Sequence, residues 1–265
     1  MQQGSTLEKL PLGGDKERAA LDAARQSLNG IILGKKPEIS LALACLLARG
    51  HLLIEDLPGL GKTILAQSLA RVLGLSFQRV QFTSDLLPAD IVGVSIFRQE
   101  TGNFEFQPGP VFAQLVLADE VNRATPKAQS ALLEAMEERQ VSVDGRTHAL
   151  PAPYFVVATQ NPSDQIGTFP LPESQLDRFL MRLELGYPAE EHERALLTGA
   201  DRREMLTDVE AVLTPDTLVA LQEKAAKVHV TDPLVDYVQA LVRFTRESPE
   251  IEIGLSPRGS LALIA

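Results

Sequence analysis

Residues 55–63 read Glu55-Asp56-Leu57-Pro58-Gly59-Leu60-Gly61-Lys62-Thr63. The stretch ends as a phosphate-binding loop does, in Gly-x-Gly-Lys-Thr. The general pattern G-x-x-x-x-G-K-[ST] has a glycine where this chain has Asp56. The flanks supply the context that the motif demands. The apolar run at 51–54 suits a buried strand, and residues 62–73 place Leu65, Leu69 and Leu73 on one helical face before Gly74 closes the helix. Gly59 and Gly61 allow backbone N–H groups to turn inward at phosphate oxygens. Lys62 adds positive charge at the outer phosphates, and the helix that starts there points its positive end at them. The Thr63 hydroxyl suits a Mg²⁺ ligand. The missing first glycine eases entry into the turn but does not surround the outer phosphates, and Pro58 can stiffen that entry instead. Phosphate binding is therefore expected to survive Asp56, with Pro58, Gly59, Leu60, Gly61, Lys62, Thr63 and Ile64 as the binding stretch.

Outward from the loop, residues 16–28 and 38–49 read as helices, the second closed by Gly50. Apolar runs at 77–82, 115–118 and 154–158 read as strands. A further run at 179–185 alternates with charge and suits a strand nearer an edge. Strands alternating with helices imply parallel β-α-β units, hence an α/β fold, a three-layer αβα core over 16–187. Two hairpins interrupt the rhythm. One flanks Thr101-Gly102, with arms at 94–98 and 103–106. The other flanks Asp144-Gly145, with arms at 140–143 and 146–149, and Asp-Gly favours a type I′ turn. Residues 1–15 read as a mobile tail. From 188 to 265 the strand signals stop and an all-α lid is expected, with helices at 190–198, 215–228 and 233–246. Thr214-Pro215 and Asp232-Pro233 serve as starts. A last helix begins at Ser256-Pro257 and reaches Ala265 after about two turns, too short to finish a helical domain, so the lid is expected to be truncated.

Four further elements carry chemistry. Leu115-Val116-Leu117-Ala118-Asp119-Glu120 is an apolar strand ending in two carboxylates, the Walker B arrangement. Asp119 would hold Mg²⁺ and Glu120 would orient and polarise the attacking water. The strand before Thr159-Gln160-Asn161-Pro162 delivers Asn161 to the same sheet edge, where an amide can bond the water or the γ-phosphate without adding charge. In the segment 171–179, Arg178 can stabilise charge on a transferring phosphoryl group, with Arg182 as the competing arginine. Arg258, in the first turn of the last helix, could reach back from the lid to the nucleotide. Arg123 has no role that follows from its position.

The bulk properties narrow the class. The chain has 265 residues, enough for one large or two modest domains, and its apolar runs are too short to cross a bilayer. The N-terminus lacks an apolar signal region, and the one cysteine, Cys45, excludes an internal disulfide framework. A cytoplasmic location is expected. The net charge of −10 argues against general nucleic-acid binding, which needs a cationic face.

These elements, in this order, resemble the AAA+ ATPases and more narrowly the MoxR family. The narrow likeness lies in Asp119-Glu120-Val121-Asn122-Arg123-Ala124, in the run 126–138, in Thr159-Gln160-Asn161-Pro162, in the segment 167–179 and in 254–258. The resemblance implies a P-loop NTPase core with parallel sheet and two hairpin inserts, followed by an all-α lid. It implies ATP and Mg²⁺ as cofactors, with Thr63 and Asp119 on the metal. Lys62, Glu120, Asn161, Arg178 and Arg258 would act in catalysis, and Ile32, Leu33 and Gly34 would lie near adenine. It also implies a homo-oligomeric ring, a hexamer, in which Arg178 reaches the neighbour's ATP. The expected function is remodelling, maturation or activation of a protein client, with von Willebrand factor A domain proteins among the candidates. The alternatives are a nucleic-acid motor, a magnesium-chelatase-like subunit, or a nucleotide-gated scaffold with little hydrolysis.

Overall fold

The computed structural model describes residues 15–162, 167–199 and 202–265, so the expected tail at 1–15 lies almost wholly outside the described residues. Helices α1 (Asp15–Ile31) and α2 (Lys36–Leu47) lead into β1 (Leu52–Glu55), the phosphate loop and α3 (Lys62–Val72). Then follow β2 (Phe77–Gln81), a short α4 (Pro88–Val92), the hairpin β3 (Gly93–Arg98) and β4 (Asn103–Pro108), β5 (Leu115–Asp119) and α5 (Pro126–Glu138). A second hairpin, β6 (Gln140–Val143) and β7 (Arg146–Ala149), precedes β8 (Phe155–Gln160), a single turn α6 (Glu173–Leu176) and β9 (Met181–Leu183).

Five strands form one parallel sheet in the order β2-β5-β8-β1-β9. The charge-alternating run is indeed at an edge. Strand side chains alternate between two cores. Leu52, Ile54, Leu115, Leu117, Phe155 and Val157 face one cluster, closed by Leu28, Leu46, Leu65 and Leu69 from α1 to α3. Leu53, Val116, Ala118, Val156 and Ala158 face the other, closed by Leu132, Leu133 and Met136 of α5. Strands buried on both faces explain why these runs are continuously apolar. Each fully buried Leu or Val contributes about 1.5–3 kcal/mol.

Both hairpins have the expected arms, and Asp144 and Gly145 both take positive φ (51° and 75°), as a type I′ turn requires. The hairpins touch each other through Phe106 and His148, whose rings stack at 4.0 Å.

After β9 only helices follow among the described residues: α7 (Glu190–Thr198), α8 (Arg202–Thr207), α9 (Pro215–Ala225), α10 (Asp232–Glu247) and α11 (Pro257–Ala262). Helix α8 was not expected. Thr214 caps α9 by accepting the Thr217 N–H, and Ser256 caps α11 by accepting the Gly259 N–H. At α10 the cap position is Thr231, because Asp232 already lies inside the helix. Leu206, Leu213, Leu218 and Leu221 join the first cluster, and Gln222 donates to the Leu46 carbonyl at 2.7 Å. The first part of the lid is thus packed on α2 and α3. No helix among the described residues is long and apolar enough to cross a membrane.

Candidate active site

In a parallel sheet the C-terminal strand ends share one edge. The register pairs Glu55 with Gln160, Ala118 with Ala158 and Gln81 with Asp119, so the phosphate loop, Asp119-Glu120 and Asn161 emerge side by side. Ligands of α/β sheets bind in that position. Gly59 and Gly61 take φ of 84° and 89°, which only glycine adopts without strain, and Gly61 caps α3. The Lys62 ammonium turns back on its own loop and donates to the carbonyls of Asp56 and of Leu57, the latter at 2.8 Å. Burial pulls the Lys62 ammonium below the usual lysine range, while Asp56, Asp119 and Glu120 oppose that shift.

The two Walker B carboxylates are held separately. Asp119 is buried, accepts the Thr159 hydroxyl at 2.6 Å on one oxygen and takes two bonds from Arg79 of β2, at 3.0 and 2.6 Å, on the other. Thr159 also accepts the Glu120 N–H at 2.9 Å. Glu120 sits in the left-handed region (φ 56°, ψ 48°), a strained conformation for a residue with a side chain. Its carboxylate accepts from Gln81 and from Arg123, each at 3.0 Å. Arg123 thus has a partner that its place in the sequence did not reveal. Arg79, Gln81 and Thr159 were also missed. For Arg79 and Gln81 the only sequence signal is polarity at strand positions beside β5, readable once the strand order is known, and Thr159 stands in the 159–162 string without a role that the string assigns.

Thr63 stands in the first turn of α3, and Asp119 ends β5 on the same edge. A hydroxyl and one carboxylate are hard oxygen donors that fit Mg²⁺, which takes its remaining ligands from phosphates and water. Among the described residues no group of three or more His, Cys, Asp or Glu could hold a metal by itself. The stretch Ile32-Leu33-Gly34 follows α1. Gly34 (φ 72°) lies so close to the His192 ring of α7 that a Cβ there would come within 2.0 Å of it.

The arginines divide between the two ends of the sheet. Arg182 of β9 pairs with Glu55, at the end of β1, and is thereby occupied. Arg178 precedes β9 and donates to the Leu133 carbonyl of α5 at 2.7 Å, with Glu137 3.9 Å away. Arg258 donates to the same Glu137 at 2.5 Å. Both line a cleft of about 820 Å³ with His51, Gly50 and Leu180, at the N-terminal ends of the strands. Strand β1 alone separates the two edges by about 13 Å. Arg258, expected from sequence to reach back from the lid to the nucleotide, stands here at Glu137, on the edge opposite the phosphate loop. The Ser256 hydroxyl also donates to Asp177 at 2.6 Å, which fixes α11 beside the Arg178 segment.

The comparisons with known proteins agree with this geometry. A sequence profile of the ATPase family associated with various cellular activities (AAA) matches residues 51–181. The chain is 47% identical to YeaC of Bacillus subtilis over 244 residues, 92% of this chain and 76% of that one. It is 43% identical to the chaperone MoxR1 of Mycobacterium tuberculosis over 276 residues, 98% of this chain and 72% of the other. The crystal structure of a candidate ATPase from Cytophaga hutchinsonii superposes with a TM-score of 0.83 at 37% identity, covering 94% of this chain and 78% of that one. A phosphate loop and paired carboxylates on one sheet edge, joined to these likenesses over nearly the whole sequence, make the chain an ATPase that belongs to the MoxR family of AAA+ proteins.

Proposed function

We propose that the chain hydrolyses ATP with Mg²⁺ at a site shared between neighbouring subunits of a ring, a hexamer, and uses the cycle to remodel a protein client. The observation that carries this is the division of the site. Lys62, Asp119, Glu120 and Asn161 stand on one edge of the sheet, and Arg178 and Arg258 stand on the other. With nucleotide bound, Lys62 would turn from the Asp56 and Leu57 carbonyls to the phosphates, and Thr63 and Asp119 would hold Mg²⁺, which would supply charge neutralisation for the transferring group. Ile32, Leu33 and Gly34 would lie near the adenine, as the family likeness implies. Glu120, held by Thr159 at its N–H and by Gln81 at its carboxylate, orients the attacking water, and Asn161 steadies it. The guanidinium of Arg178, from the adjoining subunit, supplies charge worth about 10³–10⁵ in rate. We place Arg258 beside Arg178 in that role.

The client would meet the exposed hairpin, whose Phe97 and Phe104 pair at 5.3 Å and stand open to solvent. The family likeness makes von Willebrand factor A domain proteins the client class to test first. The deciding experiment is ATP turnover per subunit against protein concentration, for the wild type and Arg178→Ala. Specific activity that climbs with concentration, and is lost in the variant while ATP still binds, supports the shared site. Activity independent of both overturns it.

A further inference from the structure

A carboxylate inside an anion-binding loop is an electrostatic liability unless its charge is directed elsewhere. Asp56 does direct it elsewhere. One oxygen accepts the N–H of Leu57 at 2.8 Å, and the other accepts the N–H groups of Leu185 at 2.7 Å and Gly186 at 2.6 Å. Leu185 and Gly186 follow β9 after Glu184, in the connector that leads to α7 and the lid. The bonds therefore join parts of the chain 129 and 130 residues apart. They are charge-assisted, the stronger class of hydrogen bond. The connector is gripped from its carbonyl side as well, because the Lys35 ammonium donates to the carbonyls of Leu185 and of Tyr187, the latter at 3.0 Å.

The backbone of the same aspartate belongs to the phosphate loop. Its N–H donates to the Gln160 carbonyl at 3.2 Å, and its carbonyl accepts from Lys62. We propose that Asp56 is a positioning residue that couples the phosphate loop to the connector of the lid. When Lys62 leaves the Asp56 and Leu57 carbonyls for a phosphate, the loop closes on the ligand. The carboxylate carries that ordering to the backbone of Leu185 and Gly186. The glycine of the general pattern has no side chain with which to do this. The proposal rests on the ATP site proposed above, and the two can fail separately.

The test follows amide hydrogen exchange at residues 185 and 186, with and without ATP, in the wild type, Asp56→Gly and Asp56→Asn. Binding is monitored by titration with a fluorescent ATP analogue. In the wild type, ATP is expected to slow exchange at both amides. Asp56→Gly, which restores the general motif, is expected to keep its KM for ATP within about threefold, because the phosphate-facing N–H groups are unchanged. Its two amides should exchange roughly ten- to a hundredfold faster, the range set by bonds to a charged acceptor. That exchange should be insensitive to ATP, and kcat should fall. Asp56→Asn has a single acceptor oxygen to divide between Leu57 and the connector and should be intermediate. It decides the matter if the glycine variant does not fold. ATP-dependent slowing that persists in either variant at the wild-type level overturns the proposal. So does a wild type that binds ATP without slowing. A wild type that binds no ATP overturns the proposed site and the coupling together.

Discussion

Thr159 shows how much of the site depends on one hydroxyl. It is fully buried, donates to Asp119 and accepts the Glu120 N–H, so it fixes both carboxylates at once. Thr159→Val keeps the shape and removes both bonds. The Glu120 N–H then lacks a partner in a residue already held in a strained conformation, at a cost of about 1–3 kcal/mol. The expected outcome is a urea midpoint lowered accordingly and a kcat reduced about 10- to 100-fold, the effect of a misplaced catalytic group. The affinity for ATP should stay near the wild-type value, because Lys62 and the loop N–H groups are untouched. Wild-type turnover in this variant would remove Thr159 from the account. Lys62, Thr63, Asp119 and Glu120 stand out as candidates in the sequence because their signals are contiguous. Thr159 and Arg79 each lie 40 residues from Asp119 in the chain and meet it only because β5 is seated between β2 and β8.

At the scale of elements, most strands and helices were readable, and the exceptions have physical reasons. Helix α8 has six residues and a weak apolar pattern, and its packing comes from Leu206 against the core of α1 to α3. The run at 51–54 begins with a histidine that belongs to no strand. His51 stands ahead of β1 and joins two other elements: its Nδ1 accepts the Val156 N–H of β8 at 3.0 Å, and its Nε2 donates to the Met136 carbonyl of α5 at 3.2 Å. Only the neutral ring can do both. Burial pushes its pKa down from 6.5 to about 4. The unfolded chain then binds more protons than the folded one between those values, so stability is lost as pH falls from 6.5 towards 4. A shift of that size corresponds to about 3 kcal/mol at the lower limit. Denaturant titrations at neutral pH and near pH 4.5 should show this slope in the wild type and not in His51→Gln. Parallel pH dependences in the two proteins would exclude His51 as its source.

At the scale of the molecule, the position of Arg258 distinguishes two kinds of active site. The phosphate loop lies at the C-terminal ends of the strands, and Glu137, with both arginines beside it, lies at the N-terminal ends. The proposed shared site needs two different half-sites on opposite edges, as here, and head-to-tail contacts of that kind give a ring when the rotation between neighbours closes. The lid sequence places Arg258 within reach of a nucleotide without saying whose, because the motif names its position in the chain and not the side of the sheet that α11 reaches. Subunit mixing separates the two cases. Glu120→Gln destroys the site in which it stands, and Arg258→Ala destroys whichever site Arg258 serves. Mixed in equal amounts, the two variants form about a quarter of their interfaces from an intact Glu120 on one side and an intact Arg258 on the other. If Arg258 acts across the interface, ATPase activity reappears on mixing although each variant alone is inactive, and Arg178→Ala mixed with Glu120→Gln behaves the same way. If Arg258 serves its own subunit, every site in the first mixture keeps a defect and no activity returns. A recovery with Arg178→Ala but none with Arg258→Ala would keep the shared site and require α11 to swing from Glu137 to the phosphate loop during turnover. The Ser256–Asp177 and Arg258–Glu137 bonds would then have to break in each cycle.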